Sequence, residues 1–262
     1  KSILYSLGFA SNFYFHYSGQ IYGDATGLIK PFLHTWSLSV EEQYYILFPI
    51  TIYFAHKYLK KYLLHLILFI FILSIGMADF GSKYYASATF YFLNTRMWEL
   101  LAGSILAYYE IKLGHRSKNK SLNFILPKIG IFLIIYYFLF TNVQLLHPSF
   151  YTLIPIFGVC LIIWFSNKNE IVTKILSSRL FVGIGLISYS LYLWHYPIFA
   201  FDRILDFTQS NSIKKLFLAL LVIIISIISY FFIEKPARDM KKKFKVIFFF
   251  IFISFLSLIF FS

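Results

Sequence analysis

The chain has 262 residues, of which 59% are hydrophobic and 22% aromatic, and it carries a formal net charge of +13. Soluble domains average roughly 45–50% apolar residues, so a water-soluble fold of this composition would leave large apolar patches exposed. The basic residues lie in short runs between apolar segments, which reads as membrane topology and argues against a nucleic-acid-binding face.

Nine apolar stretches approach the roughly 20 residues that a helical span needs: 2–15, 41–56, 62–78, 91–111, 125–141, 150–166, 180–201, 215–233 and 246–261. They predict an all-α, polytopic helical bundle in the lipid bilayer. Alternating short strands are missing, which argues against a membrane β-barrel. The one cysteine, Cys160, lies inside an apolar stretch and excludes an intrachain disulfide framework or a multi-cysteine metal site. No metal and no bound cofactor are expected. Lys1 is not preceded by Met and no signal-peptide pattern follows it, so the chain is expected to begin inside a larger protein.

The loops carry the topology. One alternating set holds Lys57, Lys60 and Lys61; then Lys112, Arg116, Lys118 and Lys120; then Lys168, Lys174 and Arg179; then Lys235, Arg238, Lys241, Lys242, Lys243 and Lys245. The other set holds Lys30, then Lys83, then no Lys or Arg over 142–149, then Arg203, Lys214 and Lys215. The positive-inside rule puts the first set in the cytoplasm. Residues 16–40 and the chain end then lie outside.

Ionisable residues within spans are costly and usually face a protein interior or an aqueous cavity. The segment His34-Thr35-Trp36-Ser37-Leu38-Ser39-Val40-Glu41-Glu42-Gln43 enters the second span from outside. Ser37 or Ser39 is expected to cap that helix, with Glu41 and Glu42 in its first turn; the bland reading is a well-capped interfacial helix. Arg96 and Glu99 are spaced to pair on one helix face, either as a self-neutralising pair or as an Arg aimed at an anionic or carbonyl oxygen. Ser188, Tyr192 and His195 form a polar stripe, in which His195 is either a satisfied core residue or a base or sugar-hydroxyl ligand. Glu234, Lys235 and Arg238 flank Pro236 at a cytoplasmic helix end, where the basic residues either anchor the boundary or contact phosphates of a donor. At about 1.5 Å per residue, Glu41, Arg96, Glu99 and His195 fall at similar depth in the outer third of the membrane.

In this order, four motifs resemble the acyltransferase-3 family of membrane O-acyltransferases: His34 to Gln43; Arg96-Met97-Trp98-Glu99-Leu100 with Gly103; Ser188 to His195 with Pro197; and Ile233-Glu234-Lys235-Pro236 with Arg238. The family includes O-antigen and peptidoglycan acetylases of bacteria. The resemblance implies a multi-pass protein of the bacterial inner membrane. It implies transfer of an acetyl or other short acyl group from a cytoplasmic acyl-CoA to a hydroxyl of an envelope polysaccharide. Arg96, Glu99 and His195 are then expected in catalysis, His34, Trp36, Glu41, Glu42, Ser188, Tyr192 and Trp194 at the acceptor, and Lys235 and Arg238 at the donor. The family carries an Arg followed some turns later by a catalytic His in its first span. That pair is absent here, so residues 1–238 are expected to be an acyltransferase domain lacking its N-terminal spans. Residues 239–262 fit a basic linker and the extra helix that, in some members, leads to an external SGNH-type domain. Two other readings are a transporter or flippase of a lipid-linked glycan, which would also place charges in a membrane cavity, and an inactive fragment.

Overall fold

The computed structural model describes residues 1–19, 25–140, 147–205 and 211–238. The span expected over 246–261 and the linker before it lie outside the described residues. In chain order the helices are α1 (Ser2–Leu7), α2 (Ser11–Tyr17), α3 (Ala25–Leu28), α4 (Thr35–Leu59), α5 (Leu63–Tyr84), α6 (Ala86–Tyr91), α7 (Leu93–Leu113), α8 (Lys120–Phe140), α9 (Leu153–Phe165), α10 (Ile171–Leu176), α11 (Arg179–Leu205), α12 (Ser212–Ser229) and α13 (Lys235–Ala237). No strand occurs among the described residues.

Among the described residues, three helical stretches are long and apolar enough to cross a membrane: Thr35–Tyr84, Lys120–Phe140 and Ser212–Ala237. The first is 50 residues long, and a 3₁₀ turn at Lys60–Tyr62 divides it into α4 and α5. Two other expected spans, α7 and α11, are long helices diluted by polar residues: Arg96, Glu99, Glu110 and Lys112 in α7, and the Ser188–Pro197 run in α11. The expected span over 2–15 is two short helices. They are broken around Gly8–Ala10, where Phe9 adopts a left-handed φ of 51°.

Helix α4, the second expected span, differs from expectation at its start. It begins at Thr35, so Ser37 and Ser39 lie inside it and do not cap it, and Glu41 and Glu42 sit beyond its first turn. The reason is local bonding. Thr35 N–H and Trp36 N–H reach back to the Phe32 and Leu33 carbonyls, while Thr35 Oγ1 lies 2.8 Å from Phe32 O and 3.0 Å from Ser11 Oγ.

The chain divides into two compact units, residues 37–178 and residues 1–36 with 179 onward. In the first, Tyr44, Ile67 and Leu101 form a buried cluster joining α4, α5 and α7, and Ile75, Ala78 and Trp98 form a second. Between apolar helices in lipid the hydrophobic drive is weak, so close packing and polar ties carry association. Ser74 supplies a tie: its hydroxyl donates to Asn94 O at 2.6 Å and accepts from Trp98 N–H at 3.2 Å. Helices α8 and α9 meet at Gly130 and Gly158, where a methyl group on Gly130 would stand 2.5 Å from the Gly158 carbonyl oxygen. In the other unit, one face of α11 holds the segment before α4. Tyr192 donates to His34 O, Tyr196 donates to Gly27 O at 3.1 Å, and Arg203 donates to Leu28 O at 3.4 Å.

Candidate active site

Helix α7 positions Arg96 and Glu99 one turn apart, and the pair closes as the spacing requires. Arg96 Nη2 stands 3.3 Å from Glu99 Oε1 and 3.4 Å from Oε2, with both side chains about one-fifth exposed (20% and 23%). The guanidinium also lies 5.5 Å from the centre of the Phe90 ring. Glu41, on α4, is within electrostatic reach of Glu42 and Glu99. Two further residues of the same unit complete this cluster. The Tyr137 hydroxyl of α8 lies within electrostatic range of Glu99 and Arg96, and it sits 3.0 Å from His147 Nδ1. Burial, and then the Arg96 charge, hold His147 below the usual imidazole range. A fixed cation paired with a carboxylate is suited to steadying negative charge on an oxygen.

The other unit builds a separate cluster around His34. Its ring is stacked on Tyr196 (5.1 Å, 19°) and meets Tyr192 and His195 edge-on at 5.1 and 5.5 Å. His34 is 2% exposed, and its ring nitrogens lie near the Leu193 and Pro31 carbonyls without closing a hydrogen bond on either. Burial, and then His195, hold its pKa down to about 4, so the imidazole is neutral. His195 Nδ1 faces Leu191 O at 3.1 Å. A carbonyl only accepts, so this contact assigns a proton to Nδ1.

Not every residue expected at the acceptor joins this cluster. Ser188 is exposed and donates to its own helix at Gly185 O, 2.8 Å away. Trp194 is 38% exposed, whereas Trp36 is buried. Glu42 is half-buried on α4. At the far end of the chain, Glu234 is buried and accepts from Ser190 Oγ at 2.7 Å, and Arg238 Nη2 stands 2.7 Å from its other oxygen. Lys235 is exposed, with its ammonium 5.5 Å from the Phe231 ring centre.

Two members of the α7 cluster, Tyr137 and His147, have no sequence signal. Tyr137 is one of 21 tyrosines and sits in an aromatic-rich helix, and His147 lies in a loop.

A family model described as an acyltransferase domain matches residues 2–231. The chain belongs to the acyltransferase-3 family. It is 32% identical over 250 residues to the peptidoglycan O-acetyltransferase OatA of Listeria monocytogenes, covering 89% of this chain and 39% of the relative. It is 29% identical over 237 residues to the O-acetyltransferase OatA of Staphylococcus aureus, covering 83% of this chain and 37% of the relative. The chain thus spans about two-fifths of these relatives, 39% and 37%. No solved structure matches.

Proposed function

We propose that this chain is the membrane part of an O-acyltransferase that moves an acetyl or other short acyl group from an acyl-CoA to a hydroxyl of cell-wall glycan. Peptidoglycan is the first acceptor to test. The observation that carries the reading is the family match, which runs through both units and all but the last of the motifs. Relatives named as O-acetyltransferases support the acetyl group and the glycan.

The side chains fit roles in such a transfer. Arg96 faces the carbonyl oxygen of the thioester as negative charge develops there, and Glu99 holds its guanidinium. His195 and Tyr192, with neutral His34 beside them, hydrogen-bond the acceptor hydroxyls. Trp36, Glu41, Glu42, Ser188 and Trp194 belong to the acceptor side. Lys235 and Arg238 meet donor phosphates; Arg238 remains 65% exposed while paired with Glu234. The protein works in the bacterial cytoplasmic membrane as a multi-pass protein.

The test uses membranes containing the full-length protein, radiolabelled acetyl-CoA and peptidoglycan fragments. Label should reach the glycan with the parent protein and fall with Arg96→Ala and His195→Ala. Transfer undiminished in both variants refutes the site assignment. Glycan crossing the bilayer without label transfer would favour a transporter.

A further inference from the structure

Glu234 has no part in the transfer described above, yet it is the fixed point of the C-terminal motif. Its side chain is 8% exposed, and each carboxylate oxygen meets a different neighbour. Ser190 Oγ, on α11, donates to Oε2 at 2.7 Å, and Arg238 Nη2 stands 2.7 Å from Oε1. Arg238 N–H also donates to Glu234 O at 3.0 Å. Arg238 is thus tied to one residue by backbone and side chain, while its own side chain stays 65% exposed. Lys235, on the same short segment, is exposed too. The turn Tyr230–Glu234 that leads into this segment is a π-helix, a rare winding that recurs at functional sites. Stability does not account for the arrangement. A carboxylate taken out of water loses hydration that an ion pair with a mostly exposed partner offsets poorly. An apolar side chain at position 234 would fill the same space without that loss. What the carboxylate does supply is direction. Ser190 clamps one oxygen, so the other holds the guanidinium in one place. A guanidinium has five N–H donors, so the nitrogen on Glu234 leaves others for an anion on the exposed side.

We propose that Glu234, clamped by Ser190, is a positioning residue that presents the Arg238 guanidinium to a phosphate ester. A planar fork of N–H donors matches phosphate oxygens two at a time. A guanidinium already fixed in place gives up less freedom on binding than one that swings in water. The basic loop that carries Arg238 belongs to the set that the positive-inside rule puts on the cytoplasmic side. Two sources offer this chemistry there: the nucleotide end of an acyl-CoA and the headgroup of an anionic lipid. The first source rests on the acyltransferase reading above; the second does not.

The test titrates CoA, and separately a short-chain phosphatidylglycerol, into the purified full-length protein in uncharged detergent. Arg238→Gln should weaken one of the two ligands by about 10-fold, the loss of a charge-assisted bond. Glu234→Gln should weaken the same ligand by about 3- to 10-fold, the cost of ordering a long side chain that is no longer held. A loss confined to CoA assigns the phosphate to the thioester donor, and a loss confined to phosphatidylglycerol assigns it to lipid. In the Arg238→Gln background, Glu234→Gln should add little, because it acts through the guanidinium. Ser190→Ala/Glu234→Leu separates this role from folding. Its melting midpoint should return toward the parent's, while the ligand stays weakened as in Glu234→Gln. Parental affinity for both ligands in Glu234→Gln overturns the proposal. So does an equal effect of Glu234→Gln with and without Arg238, or affinity that returns together with stability in Ser190→Ala/Glu234→Leu. Labelled acetyl-CoA and glycan fragments are run in parallel. A parent protein that transfers no label overturns the acyltransferase reading, whereas the titrations decide the role of Glu234 by themselves.

Discussion

Helices α8 and α9 pack backbone against backbone at Gly130 and Gly158, and Gly130→Ala tests that contact. The new methyl carbon would lie 2.5 Å from Gly158 O, 2.9 Å from Ile162 Cγ1 and 3.4 Å from Ile162 N. Ordinary contacts between such atoms are about 3.5–4.0 Å, so the helices must part by about 1 Å. The closest obstacle is backbone, which cannot rotate away as a side-chain tip can. Overpacking of this kind costs about 1–3 kcal/mol. At about 2–4 °C per kcal/mol for a chain of this size, the melting midpoint in detergent should fall by several degrees. The control is Gly76→Ala on α5, where the added methyl meets nothing within 4 Å and the gain in helix propensity makes it neutral or stabilising. A matched thermal series on the purified variants reads both. If Gly130→Ala melts with or above Gly76→Ala, the tight α8–α9 contact is wrong.

The remaining predictions address the two clusters. Arg96→Lys should keep the charge yet lose most of the transfer rate, because an ammonium cannot reproduce the guanidinium fork; a near-parental rate would remove Arg96 from the chemistry. His34 supplies a pH test. Its folded pKa of about 4 lies below the 6.5 of an ordinary imidazole, so the unfolded chain binds the extra proton first. Stability contributed by neutral His34 is therefore complete above about 6.5 and is lost as pH falls toward 4. Melting midpoints measured across that range should fall in the parent and flatten in His34→Gln. Ser190→Ala removes a donor from a carboxylate whose side chain is only 8% exposed, an expected cost of about 1–3 kcal/mol. In Ser190→Ala/Glu234→Leu much of that loss should return, read from the same melting curves.

Much of the helical layout was legible because lipid-compatible runs are long and the punctuation between them is polar. The misjudged ends have local causes. Thr35 recruits three neighbouring oxygens and starts α4 early, and Phe9 in a left-handed conformation splits the first stretch. Arg96 and Glu99 were legible because their contact lies within one helix. The His34 cage was not, since it forms between α11 and a loop far away in the chain. The polar stripe on α11 divided for a similar reason: an exposed Ser188 satisfies itself on its own backbone, while the neighbouring Ser190 turns inward to Glu234. Tyr137 and His147 carry no pattern at all, because a phenol in an aromatic-rich helix looks like any other.

The helical turn over Tyr230–Glu234 is wound as a π-helix, which accommodates one residue more than an α-turn. Each residue of an α-helix advances the side-chain direction by about 100°. The widened turn thus acts as a phase shifter between the apolar face of α12 and the Glu-Lys-Pro segment beyond it. Removing a single residue there would leave every hydrophobic side chain of α12 in place and swing Glu234 off Ser190. A one-residue deletion in this stretch should therefore do more damage than most substitutions in it. The length of the segment, and not only its composition, is part of what the sequence specifies.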